Sequence, residues 1–151
     1  MTTNYVAQAP GYANAPTVTL TVAGATGALV VPSLQDITIN NANDVFTWTQ
    51  LNEAAKLQVA TTSTNSISTN VVVEELTFFG NASATTGSAA KLGLIGLSDA
   101  KTKVGFTISN FGTKTITGNA YVTGLAPKIS ADQPVWVTPV TLTVSGAYTV
   151  A

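Results

Sequence analysis

The chain contains no cysteine, no histidine and no arginine, and only 9% of its 151 residues are charged. Without cysteine there are no disulfide staples and no thiol chemistry. Without cysteine and histidine, zinc loses its usual soft and imidazole ligands. The missing arginine removes the side chain best suited to bidentate phosphate recognition. All six basic residues are lysines, scattered at 56, 91, 101, 103, 114 and 128, and they form no run that would grip nucleic acid. No apolar stretch reaches the ~18–20 residues of a membrane helix. No apolar run near the start follows a basic cluster, so no signal peptide is predicted and use without secretion is expected.

What is present points to strands. Hydrophobic residues make up 45% of the chain, and 26 residues are threonine. Threonine and valine are β-branched and favour a pleated surface. The length suits one domain with a real core. A formal net charge of −1 leaves little self-repulsion. Either hydroxyls and amides coat a monomer, or much of the surface is buried against copies of the same chain. The second reading is preferred.

Residues 1–16, MTTNYVAQAPGYANAP, read as an extended N-terminal arm, and 17–151 as one domain. Thr17 to Ala23 alternates cleanly, with Val18, Leu20 and Val22 on one face and threonines on the other. A Gly24–Gly27 turn ends it, and Leu29 to Val31 resumes it. Asp36–Asn40 and Asp44–Thr49 predict either a strand pair or one bulged strand, with the break at Asn40–Asp44. Phe46 and Trp48 share a face. Leu51–Lys56 is a short polar-helical stretch, Leu57–Ala60 a weak strand, Thr61–Asn70 a polar low-complexity segment, and Val71–Phe79 a strong strand. Asn81–Leu97 predicts a short helix capped by Ser88, with Gly93 and Gly96 each weakening it by ~1 kcal/mol. Strands follow at Lys103–Asn110, Lys114–Thr123 and Val135–Val150, the last broken near Pro139. Asn110–Gly112 is a hairpin-like turn and Gly146 a bulge or close approach. The fold class is all-β, a sandwich or barrel with one short flanking helix.

Motifs for catalysis are weak. Ser88-x-x-Lys91 and Ser98-x-x-Lys101 match the S-x-x-K pattern of penicillin-recognising enzymes. The companion K-T-G and S-D-N are missing, so both are chance matches. Glu74 and Glu75 would point to opposite strand faces and could not flank one substrate; one of them could meet a lysine of another subunit. Asp36, Asp44, Glu53, Asp99 and Asp132 have no calcium-loop spacing. Asn81-Ala82-Ser83 is a formal glycosylation sequon without a secretory context. No catalytic, cofactor-binding or metal-binding residue is assigned, no cofactor is expected, and the chain is read as not an enzyme. Trp48 and Trp136 are read as core residues, with interface anchoring as the alternative.

The stretch from Gly118 to Val150, GNAYVTGLAPKISADQPVWVTPVTLTVSGAYTV, resembles the end of tail tube proteins of long-tailed bacteriophages. The order strands, Ala/Gly-rich helix, strands over Asp36 to Ala151 is similar to that family. The resemblance implies a β-sandwich subunit forming hexameric rings that stack into a hollow tube in the virion tail. It implies assembly in the host cytoplasm, self-association, and contact with sheath, tape measure or terminator proteins. It also implies genomic DNA passing through the lumen without specific binding. Within that scheme the polar Gln50–Asn70 segment is the arm that reaches the next ring. The alternatives are a capsid decoration or small coat protein, and an immunoglobulin-like binding module marked by an exposed aromatic platform.

Overall fold

The computed structural model describes residues 16–31 and 34–151. The arm expected over 1–16 therefore lies, apart from Pro16, outside the described residues.

Alternating apolar and hydroxyl side chains build one large antiparallel sheet with a core face and an outer face. Its strands are β1 (Thr17–Val22), β2 (Leu29–Val31), β3 (Leu34–Trp48), β4 (Leu57–Val72), β5 (Lys103–Phe111), β6 (Lys114–Leu125), β7 (Lys128–Ser130), β8 (Gln133–Val144) and β9 (Thr149–Val150). The order across the sheet is β2-β1-β5-β6-β8-β4-β3, with β7 paired to β8 and β9 to β6. Two helices, α1 (Glu75–Phe79) and α2 (Ala89–Asp99), stand between β4 and β5 in the chain. Helix α2 packs against β1, β2 and β6, and α1 packs against α2 and β2.

The core face follows the period of two. Val18 and Leu20, Val104, Phe106 and Ile108, and Val140 and Leu142 are all buried. Phe78, Ala89, Leu94 and Leu97 close the core from the helical side. The Ser88 hydroxyl accepts a bond from Lys91 N at 3.2 Å, so the helix start is where its capping residue predicts.

Several expectations need correction. Leu29–Val31 does not resume β1. It turns back through Gly24 and Gly27, both at positive φ, and pairs with β1 antiparallel. Asn40–Asp44 is no break: β3 runs on as one strand, and the register shift between Asn43 and Val45 is a bulge in its partner β4. Leu51–Lys56 forms turns rather than a helix, and Thr61–Asn70 belongs to the 16-residue β4. Hydrogen bonding to β3 on one side and β8 on the other holds that polar segment extended. The Val71–Phe79 strand stops at Val72, and α1 begins at Glu75. The helix turns Phe78 into the core while leaving Phe79 outside. Pro139 does not interrupt β8, because it sits where the neighbouring strand changes from β6 to β7. The interruption falls at Ser145–Tyr148, with Gly146 at φ 86°, after which β9 rejoins the same β6 edge.

The helices are locked by glycine. Gly93 has φ 70° and ψ 177° inside α2, which kinks there. A Cβ on Gly93 would lie 2.4 Å from Gly80 N, and one on Gly80 would lie 2.2 Å from Lys91 O. Backbone thus meets backbone at the α1–α2 junction, where no side chain fits. Gly24 has φ +80° but open space around it. Gly24→Ala should cost about 1–2 kcal/mol of strain. Gly93→Ala should cost clearly more, since the clash adds to the strain. Denaturant unfolding of both variants checks the difference, and equal losses would contradict the lock.

Candidate assembly interface

The outer face of the sheet is a field of hydroxyls and amides. Thr17 and Ser109 bond side chain to side chain at 2.7 Å across β1 and β5. Thr123 and Thr143 do the same at 2.9 Å across β6 and β8. Ser66 and Ser68 on β4 stand opposite Thr143 and Thr141. Among the described residues, Lys103 is the one charge on the outer face of β1, β4, β5, β6 and β8.

At one end the sheet runs out into a two-stranded hairpin made by the distal parts of β3 and β4. Every side chain from 41 to 64 is exposed except those of Trp48 and Leu57, which are half-buried. The root is a polar ladder. Asn41 Nδ2 donates to the Tyr148 hydroxyl at 2.8 Å, and the Ser63 hydroxyl donates to Asn43 Oδ1 at 2.6 Å. Asn65, opposite Asn41, is buried, and its Oδ1 has no hydrogen-bond partner. Here the apolar core face gives way to polar side chains.

Beyond the root a bulge resets the register. Pairing changes from Asn43↔Ser63 to Val45↔Ala60, which leaves one extra residue on β4. Asp44 ties it down: Thr62 Oγ1 donates to Asp44 Oδ2 at 2.9 Å and Thr61 Oγ1 to the Asp44 carbonyl at 3.1 Å. Past the bulge, Phe46 stands opposite Val59 and Trp48 opposite Leu57. Opposed residues share a face, so these four make one apolar patch. The rings of Phe46 and Trp48 stack at 5.8 Å and 26°. Phe46 is 59% exposed, and Leu51 at the tip stands clear of the protein.

The tryptophans are therefore not core residues. Trp48 lies on the hairpin, and Trp136 is 50% exposed near Val135 and Ile129, also exposed. Their strand patterns resembled core strands because an interface strand alternates in the same way. Long polar β-branched neighbours such as Thr61, Thr62 and Thr64 were the available signal that β4 continues outward.

The residues with chemical potential fall apart. Ser88 is fully buried, and its hydroxyl donates to the Thr85 carbonyl at 2.6 Å. Lys91 Nζ turns away to the Ala82 carbonyl. Lys101 N closes a turn onto the Ser98 carbonyl at 3.2 Å, but its φ of 52° puts it in the left-handed region beyond the end of α2 and off the helical path that carries Ser98. Glu74 and Glu75 open α1 instead of facing opposite sides of a strand, and Glu75 lies in the first turn, where a carboxylate suits the helix dipole. Asp36 receives Asn70 N and Nδ2 at 3.0 and 2.8 Å, stitching β3 to β4. Asn81 Oδ1 accepts the Ser83 amide at 3.0 Å as a local turn. Among the described residues no three carboxylates gather to hold a metal ion, and no helix is long and apolar enough to cross a membrane.

No family model matches the chain, and no curated protein matches it by sequence. Solved structures do match. A chain of the SPP1 tail tube superposes with a TM-score of 0.64 at 10% identity, covering 91% of this chain and 77% of its own. This is a tail-tube fold. The same fold occurs in the tail of an empty gene transfer agent particle refined with C6 symmetry, with TM-score 0.66 and 12% identity over 89% of this chain and 94% of that one. It occurs again in the six-fold symmetrised baseplate of the anti-feeding prophage, with TM-score 0.65 and 12% identity over 100% and 97%.

Ser88 is a buried cap of α2 whose hydroxyl donates to the Thr85 carbonyl and accepts from Lys91 N. Ser88→Ala should lower stability by about 1–2 kcal/mol in denaturant unfolding. The unaltered protein should not be acylated by a β-lactam in intact-mass measurements; a covalent adduct on Ser88 would contradict the structural role.

Proposed function

We propose that this chain is a structural subunit of a tail tube, forming hexameric rings that stack into a hollow conduit in a virion tail. The observation that carries the reading is the β3–β4 hairpin: an ordered ladder that leaves the body and presents Phe46, Trp48, Leu57 and Val59 on one face. A free monomer gains nothing from such a projection, since exposed aromatics on a long strand pair invite association. A tube subunit would use it to contact the next ring; the arm expected over Gln50–Asn70 becomes the hairpin 41–64, since Ser66–Asn70 are paired with β8 in the body of the sheet.

The sheet edge supports the ring. Among the described residues β3 is paired on its β4 side alone, so a neighbouring copy can extend the ladder along its 15 residues. Joining edges in a closed ring removes them. The outer face of β1, β5 and β6, away from the β7 end, suits a channel wall: hydroxyls and amides hold water, and Lys103, its one charge, gives DNA few counterion-releasing contacts. Genomic DNA would pass without specific binding. The exterior and ends would meet the other tail proteins: sheath, tape measure and terminators. The chain would assemble in the host cytoplasm and act in the virion without catalysing a reaction.

Linking Asn43 to Ser63 by an Asn-Gly turn removes the hairpin and keeps its paired root. The shortened protein should fold with a strand-dominated circular dichroism spectrum and a melting temperature within a few degrees of the parent. Negative-stain microscopy should show tubes for the parent and none for the variant. Unchanged long tubes from the shortened protein would refute the ring-to-ring role of the hairpin.

A further inference from the structure

A second surface lies on the same sheet, far from the hairpin. Asn70, Val137 and Pro139 on the outer face, with Ala126, Lys128 and Ser130, line an open groove of about 340 Å³. Its floor is apolar and its rim carries an amide, a hydroxyl and an ammonium. The walls are held in place. Asp36 fixes the Asn70 amide through two bonds, at 3.0 and 2.8 Å. Thr138 Oγ1 accepts Ala126 N at 3.1 Å and donates to the Pro139 carbonyl at 2.9 Å, clamping the chain between β6 and β7 onto β8.

We propose that this groove receives the Phe46–Trp48 patch of a second copy, with the Lys128 ammonium over an aromatic face; the proposal rests on the tube-subunit reading and names the receiving surface. Within one chain the two surfaces cannot meet. Thirteen residues of β4 separate Leu57, opposite Trp48, from Asn70, opposite Pro139, and a strand of that length spans about 40 Å. The chemistry is complementary, because a ring with a negative π-face fits an apolar floor beneath a cation. By strand alternation the hairpin's apolar side and the groove share one face of the ladder, and the right-handed twist of the strands between them, raised at the Asp44 bulge, rotates one against the other. A rise combined with a rotation can then join tip to groove repeatedly.

The size of the contact explains why stacking would need rings. Two aromatic side chains bury about 300–500 Å² together, below the roughly 800 Å² per partner of a stable standard interface. One tip in one groove is weak. Several engaged at once between two rings gain avidity without any new contact.

The test uses the full chain at concentrations where the unaltered protein polymerises. Trp48→Ala should leave folding and ring formation intact and raise the critical concentration for tube growth more than about tenfold; Lys128→Glu should raise it several-fold. Trp48→Phe and Lys128→Arg should recover most of the growth. The chain has no native cysteine, so a short bis-maleimide can report proximity. The Val59→Cys/Ser130→Cys variant should give a ladder of cross-linked oligomers, and Val59→Cys/Lys101→Cys should give none. Tubes unaffected by both point variants would overturn the groove assignment. So would equal ladders in the two cysteine variants, or a ladder that stops at a two-fold dimer. If the unaltered chain makes neither rings nor tubes, the tube-subunit reading fails and takes this proposal with it.

Discussion

Strand β4 is the shared member of the structure, hydrogen-bonded to β3 along almost its whole length and to β8 over Ser66–Val72. Its inner half serves the domain: Ile67 and Val71 are buried, and Thr69 is tied to the Asp36 carbonyl. Its outer half belongs to no core. One continuous backbone ladder thus joins the packed body to the exposed hairpin. Rigidity follows, because a strand anchored between two neighbours positions its extension better than a loop could.

The two faces of the sheet divide the work. The covered face is closed by two helices whose junction admits only glycine at Gly80 and Gly93. The free face has hydroxyls bonded to hydroxyls and one lysine over five strands. Such a face can hold water through its hydroxyls and offers a polyanion few counterion-releasing contacts. The serine with a lysine three residues on, Ser88, is a buried helix cap whose hydroxyl is already committed.

In the proposed tube, assembly would rest on weak repeated contacts rather than one strong one. A free strand edge, an apolar hairpin and a groove are each modest in area, and each is unmatched inside a single copy. Closure into a ring would remove the edge, and stacking of rings would multiply the hairpin contact. Low net charge favours this, since like-charged rings would repel along the stack.

The sequence by itself determined the period-two alternation of β1, β5 and the end of β8, the cap at Ser88, the poverty of chemical groups, and the ordering of strands around a small helical insert. These are local properties, visible in a window of a few residues. Tertiary structure decided the rest. Thr61–Asn70 has the composition of a loop, yet ladders to β3 and β8, partners up to about 75 residues away in the chain, make it a strand. Val71–Phe79 has the composition of a strand, yet the core needed Phe78 from one side only, and a helical turn supplied it. Trp48 and Trp136 carry core-like patterns and stand at the surface, because alternation records that one face is dry without recording which molecule dries it.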